Sequence, residues 1–213
     1  MGVIKQGILG GFSGKVGNVI GATWNGIDYM RIMPANVENP KTEAQLDQRS
    51  KFATTLFFLQ PFTVFLRTGF RRYAKEMTEF NAAMSYNIKN AITGSYPSYS
   101  VDLSNALISR GKLAGALNPD AVSSTPGTVT FTWDDNSVYG NAHTTDKSML
   151  VVYNPDKKDA IFVIDGADRS TGTDDLTIPT EYMSDTLHAF IAFIREDGRR
   201  VSNSTYIGTV SII

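Results

Sequence analysis

The sequence predicts an α+β protein: a glycine-rich N-terminal β-hairpin with short helices, followed by a C-terminal immunoglobulin- or fibronectin-like β-sandwich. Three observations predict it. Eight glycines fall within the first 26 residues, around the dipeptide Asn25-Gly26. Apolar residues recur at helical spacing between residues 42 and 92. After Asn118-Pro119, short β-rich runs alternate with breaks of Asp, Asn and Gly, the spacing of a small all-β domain. The expected domains are therefore residues 1–119 and 120–213.

Residues 15–24 and 27–33 read as two strands joined at Asn25-Gly26, because Asn-Gly supplies the positive φ angles of a type I′ turn. Gly14, Gly17 and Gly21 imply bulges or the close approach of another backbone. A two-stranded ribbon is marginal alone in water, so it must lie on the rest of the chain or on another subunit. Its free edge invites strand addition between chains.

Pro34 and Pro40 end the hairpin. Thr42-Glu43-Ala44-Gln45 fits a capping box, and Leu46, Arg49, Phe52, Ala53, Leu56 and Leu59 follow at helical spacing. Pro61 starts a second helix that stops or bends at Gly69, and a third is predicted over 78–92, closed by Gly94. The region is more aromatic than three short helices alone require, which predicts packing against the ribbon or a partner. A strand is expected over 101–107 and a turn at Arg110-Gly111-Lys112.

Strands of the β-domain are expected at 128–133, 148–154, 160–164, 174–178, 186–195 and 199–206, with Asp197-Gly198 turning the last hairpin. Trp133 is the expected central core aromatic.

The net charge of −1 hides an asymmetry. Residues 1–119 hold 13 Lys and Arg against 7 Asp and Glu, giving +6; residues 120–213 hold 7 against 14, giving −7. That split favours head-to-tail association between copies or different partners for the two parts. With no cysteine there is no disulfide, thiolate metal site or thiol nucleophile. No cleavable signal peptide is recognised and no apolar run suffices to span a bilayer, since 52–66 is interrupted by Pro61. The expected location is cytoplasmic, or outside the cell by a route that needs no cleaved signal, without membrane insertion.

Motifs for chemistry fail one by one. Gly10-Gly11-Phe12-Ser13-Gly14-Lys15 imitates a phosphate-binding loop, but Leu9 and Val16 stand where the motif needs Gly and Ser or Thr. His143 and His188 have no partners at ligand spacing, and the Asp clusters at 134–135, 156–159 and 174–175 fall in turns without a calcium-loop pattern. No nucleophile, base and oxyanion donor assemble, so neither an enzyme nor a cofactor is expected. Arg67, Arg71, Arg72 and Lys75, interleaved with aromatics, are the candidate nucleic-acid contacts. An amphipathic helix covering apolar surface with basic side chains accounts for them more simply, since +6 over residues 1–119 is modest for a nucleic-acid binder.

The most specific stretch runs Gly14-Lys15-Val16-Gly17-Asn18-Val19-Ile20-Gly21, Trp24-Asn25-Gly26, Tyr29, Arg31, then Asn39-Pro40-Lys41-Thr42, Ala44-Gln45 and Gln48-Arg49. With Ser109-Arg110-Gly111-Lys112-Leu113 and Val201-Ser202-Asn203-Ser204-Thr205-Tyr206, it resembles an uncharacterised family frequent in Bacteroidetes, with relatives among phage and prophage structural genes. The resemblance carries no activity. The failed motifs, the glycine-rich ribbon and the charge split predict a non-enzymatic subunit of an assembly, and the resemblance implies that the assembly is a phage or phage-derived particle, tail or filament, with a virion-associated location. The ribbon would contact other copies or other structural proteins through Val16, Val19, Trp24, Tyr29 and Arg31. Two other classes remain: a nucleic-acid-binding packaging or regulatory protein using the basic helices, and a carbohydrate- or surface-binding protein using residues 120–213.

Overall fold

The computed structural model describes residues 3–4, 11–24, 27–36, 39 and 41–212. The chain divides into two compact units, Met1–Thr42 and Glu43–Ile213.

In the first unit, β1 (Val3–Ile4), β2 (Phe12–Val16), β3 (Val19–Trp24) and β4 (Ile27–Ile32) form an antiparallel sheet in sequence order. The strand expected over 15–24 is thus two strands. The chain reverses at Gly17-Asn18, where Gly17 has φ 58°, a left-handed conformation that glycine adopts without cost. Gly14 faces Gly21 across β2 and β3, and a Cβ at Gly21 would lie 1.9 Å from the Phe12 carbonyl oxygen. The close backbone approach expected of these glycines is present there. The predicted Asn25-Gly26 turn lies outside the described residues.

The second unit opens with α1 (Glu43–Leu59), a 3₁₀ turn Gln60–Phe62, α2 (Thr63–Gly69), a 3₁₀ turn Arg71–Tyr73 and α3 (Glu79–Asn90). Pro61 occupies the start of the first 3₁₀ turn, where its missing N–H leaves no bond unmade. Thr78 caps α3, its hydroxyl accepting from the Asn81 N–H at 3.2 Å. The helix expected over 78–92 stops at Asn90, and Ile92 opens a hairpin of β5 (Ile92–Ser95) and β6 (Ser98–Val101). The strand expected over 101–107 is absent: Val101 ends β6, and the Asp102 carboxylate accepts from Ser104 and Asn105 to fold the following loop.

The remaining strands are β7 (Leu117–Thr125), β8 (Thr128–Asp134), β9 (Lys147–Asn154), β10 (Asp159–Val163), β11 (Thr173–Thr177), β12 (Thr186–Ile194) and β13 (Thr205–Ser211). They make two antiparallel sheets, ordered β11-β8-β7 and β10-β9-β12-β13. Val129, Phe131 and Trp133 of the first meet Leu150, Val152, Ile191 and Phe193 of the second in one core, so the sheets form a β-sandwich. Trp133 is buried as expected, edge-on to Phe193 at 5.4 Å, with its indole N–H donating to the Arg169 carbonyl at 2.8 Å.

Two strand expectations are corrected. Asn118-Pro119, the expected boundary, lies inside β7, where the register shifts and Asn118 takes φ 46°; a bulge admits the proline. The last strand begins at Thr205, because Val201 and Ser202 make only isolated bridges, to Ile194 and Leu113.

The units also part elsewhere than at 119/120. The outer face of β9 and β12 (Met149, Val151, Tyr153, Phe190, Ala192) packs on Phe58, Phe62 and Phe65 of the helical segment in a second core. The helices therefore share a compact unit with the sandwich. The aromatic surplus of the helices packs on this sheet: Phe62 lies 5.3 Å from Tyr153 and 6.5 Å from Phe190.

Two polar devices tie the layers. Segments 109–113 and 201–204 cross through several hydrogen bonds: Leu113 N–H to Val201 O, Ser204 N–H to Ser109 O, Ser109 hydroxyl to Ser202 O, and Gly111 N–H to Asn203 Oδ1. A Cβ at Gly111 would lie 1.8 Å from the Val201 carbonyl oxygen. The second device is Arg169, fully buried over the Phe193 ring at 3.8 Å. It donates to Asp146 at 3.2 Å, to Asn136 at 2.6 Å, and to the Gly115 and Ala114 carbonyls. Burial pulls its pKa down while Asp146 pulls it back up.

Gly111→Ala will therefore destabilise the fold by about 1–3 kcal/mol through overpacking against fixed backbone. Gly115→Ala, whose nearest neighbour is a Thr205 side-chain oxygen at 3.9 Å, will leave the urea midpoint nearly unchanged. Asp146→Ala strands a buried guanidinium and will cost about 3–5 kcal/mol by the same measurement.

Candidate functional site

Three surfaces offer themselves for recognition. The first is the ribbon. Every residue of β4 is exposed, with Ile27, Met30 and Ile32 at 64%, 70% and 77%. As the last strand of its sheet, β4 has no further partner among the described residues. Cross-strand pairing puts Val16, Val19 and Ile32 together on one face, continued by Met30 over Gly14 and Gly21. Tyr29 opposite Ala22, and Arg31 opposite Ile20, lie on the other.

The five ribbon residues singled out in the sequence thus fall on both faces. Val16 and Tyr29 are exposed, at 54% and 44%, as is Arg31, whereas Val19 is half-buried. Trp24 pairs with Ile27 at the far end of β3.

The second surface is basic. Arg67, Arg71, Arg72 and Lys75 are all exposed. The structure brings Arg72 together with Lys112 and Arg200 in a pocket of about 240 Å³ floored by Leu113 and Val201. Arg67, Arg71 and Lys75 line no part of it. In an adjoining groove of about 390 Å³, the Arg110 guanidinium lies over the rings of Tyr73 and Tyr86 at 4.2 and 4.8 Å, with Lys89 beside it. Sequence reasoning missed Arg110, Lys112 and Arg200. Lys112 and Arg200 lie far apart in the chain, and only the crossing of 109–113 with 201–204 brings them to one pocket.

The suspected acidic clusters serve the fold. Asp134 accepts from Asn118, Asp159 from the Tyr182 hydroxyl, and Asp174 from Ser148 and the Ala167 N–H. Among the described residues no three His, Cys, Asp or Glu gather as a metal site would need, and no helix is long and apolar enough to cross a membrane.

A family model matches residues 11–208, which takes in β2–β4, the helices and nearly all of the sandwich. The chain belongs to the family of unknown function DUF6266. Among curated proteins no sequence matches it. Among solved structures, the solution structure of the fn3 domain of the human collagen alpha-1(XX) chain is similar, with 11% identity and a TM-score of 0.33. That match covers 46% of this chain and 85% of the collagen domain.

The third surface of this DUF6266 chain is an apolar groove of about 400 Å³ between α1 and the outer face of the four-stranded sheet, lined by Phe57, Phe58, Tyr153, Lys158 and His188 among others. His188 stacks on Tyr153 at 6.3 Å, and its Nδ1 shares a 2.9 Å hydrogen bond with the Tyr206 hydroxyl. Burial holds the His188 pKa below the ordinary imidazole value of 6.5. The unfolded chain then binds a proton there that the folded chain refuses, so stability falls as pH drops below about 6.5. The urea midpoint of the wild type will accordingly fall between pH 7.5 and 5.5, and His188→Gln will flatten that dependence.

Proposed function

We propose that this chain is a non-enzymatic structural subunit that assembles with further copies of itself through the outer edge of β4. The observation that carries the reading is an edge strand exposed on both faces, with large apolar side chains on each. Such a strand presents unpaired backbone groups and uncovered hydrophobic area together, a combination that monomeric proteins blunt.

The strand's own sequence supports a second copy as the occupant. Two copies of β4 paired antiparallel about a two-fold axis normal to the sheet join residues of like parity. Centred on Met30, this register sets Tyr29 of each copy opposite Arg31 of the other, twice, with Met30 facing Met30 at the axis. A cation over an aromatic ring is a favourable cross-strand pair. Extension to a larger particle, tail or filament follows the sequence resemblance to a family with phage and prophage structural relatives. The sandwich, of immunoglobulin or fibronectin type, is then the part left to dock on neighbours.

Light scattering on the full chain tests the reading. The wild type will form dimers or larger species. Met30→Glu, which opposes two carboxylates at the axis, will shift them to monomer, while Met30→Val will not. A wild type that stays monomeric at high concentration and low salt overturns the proposal.

A further inference from the structure

We infer that the pocket formed by Arg72, Lys112 and Arg200 binds a phosphate group, with Arg110 in the adjoining groove available to a ligand that extends beyond it. The site lies wholly within Glu43–Ile213 and does not depend on the ribbon.

Five cations line the two depressions, Arg72, Lys112 and Arg200 in one and Lys89 and Arg110 in the other, and no carboxylate among the described residues lines either. None of the five takes part in an ion pair within 4 Å among the described residues. Like charges gathered without a counterion repel one another, and an anion seated among them relieves that repulsion while gaining charge-assisted hydrogen bonds. Arginine suits phosphate because its planar fork meets two oxygens at once, and lysine adds a point charge.

The floor of the pocket is rigid, as a binding site requires. Lys112 and Arg200 each sit beside a residue of the hydrogen-bonded crossing, Gly111 and Val201, whose backbones are in close contact. Asn141 donates its amide to the Lys112 carbonyl at 2.7 Å and accepts from the Ala114 N–H at 2.9 Å, which fixes the rim. Arg110 is held through two tyrosine rings, and its guanidinium N–H groups have no acceptor among the described residues. Those donors are therefore free for a ligand. At about 240 Å³ the first pocket is below the usual range for a drug-sized ligand and matches a compact anionic head. Neighbouring residues line the two depressions, 72 and 73 on one side and 110 and 112 on the other, so the ligand class is a phosphate compound, whether a small one seated in the first pocket or a phosphodiester chain that continues along the second.

Calorimetric titration of the full chain at low ionic strength tests this, with inorganic pyrophosphate in one arm and a single-stranded oligonucleotide in the other. Saturable pyrophosphate binding is expected, weakened about tenfold or more by Arg200→Gln and by Lys112→Gln. Arg199→Gln, an exposed neighbour that lines neither pocket, is expected to leave it unchanged. An oligonucleotide that binds more tightly and shows the same variant sensitivity makes the phosphodiester chain the ligand. Pyrophosphate binding alone makes it a small phosphate compound. No saturable binding of either probe overturns the site, and so does equal weakening by all three variants, which would reduce it to bulk charge.

Discussion

The rest of this structure depends on burial of the β9–β12 strand pair on both faces. A strand packed on one side alternates apolar and polar residues, whereas one packed on both sides must be apolar throughout. Residues 148–154 and 189–194 are all buried, and both strands serve two cores at once. Leu150, Val152, Ile191 and Phe193 face the three-stranded sheet; Met149, Val151, Phe190 and Ala192 face the helices. The helical segment is thus a third layer required by the sandwich. Without it, the aromatic outer face of the sheet would stand in water.

That layering explains where polar groups had to be placed. A chain that crosses between layers carries backbone N–H and C=O groups into apolar surroundings, and each must find a partner. Ser109, Ser202 and Ser204 supply short side chains that bond backbone groups where 109–113 meets 201–204; the Ser204 hydroxyl alone accepts from the Ile108 and Ser109 N–H groups. Arg169 does the same at the end of the sandwich, satisfying the Ala114 and Gly115 carbonyls while stacking on Phe193. Its ion pair with Asp146 neutralises a buried charge, the Coulomb attraction offsetting the cost of taking both groups out of water.

Strands with local signals were legible: β8, β9, β10, β11 and β12 stand within a residue or two of their expected bounds, because β-rich runs and Asp or Gly turns are properties of the sequence itself. What was missed depends on distant partners. Asn118-Pro119 reads locally as a boundary, and only the bulge in β7 against β8 carries it inside a strand. The third layer was recorded in the unbroken run Ala189-Phe190-Ile191-Ala192-Phe193-Ile194, but such a run does not say what covers its second face. The candidate sites divide the same way. The local hairpin pattern singles out Tyr29 and Arg31 on β4, while the meeting of Arg72, Lys112 and Arg200 needs a crossing that no local pattern encodes.

The charge asymmetry takes on a different meaning once the units are known. Divided at 119, the chain splits into +6 and −7. Divided at the boundary of the compact units, residues 1–42 hold 4 basic and 2 acidic residues and residues 43–213 hold 16 and 19, giving +2 and −3. The contrast that favoured head-to-tail attraction between copies therefore largely disappears as a property of separate bodies. Much of it becomes a contrast within one body. Arg72, Lys89, Arg110 and Lys112 come from the basic half and Arg200 from the acidic half, yet all five line adjoining depressions. An excess of charge along sequence is diluted by any fold that mixes its segments, but charge concentrated at one place by a rigid crossing is not. For this chain the electrostatic argument therefore attaches to the crossing, and the argument for self-association has to rest on the uncovered edge of β4.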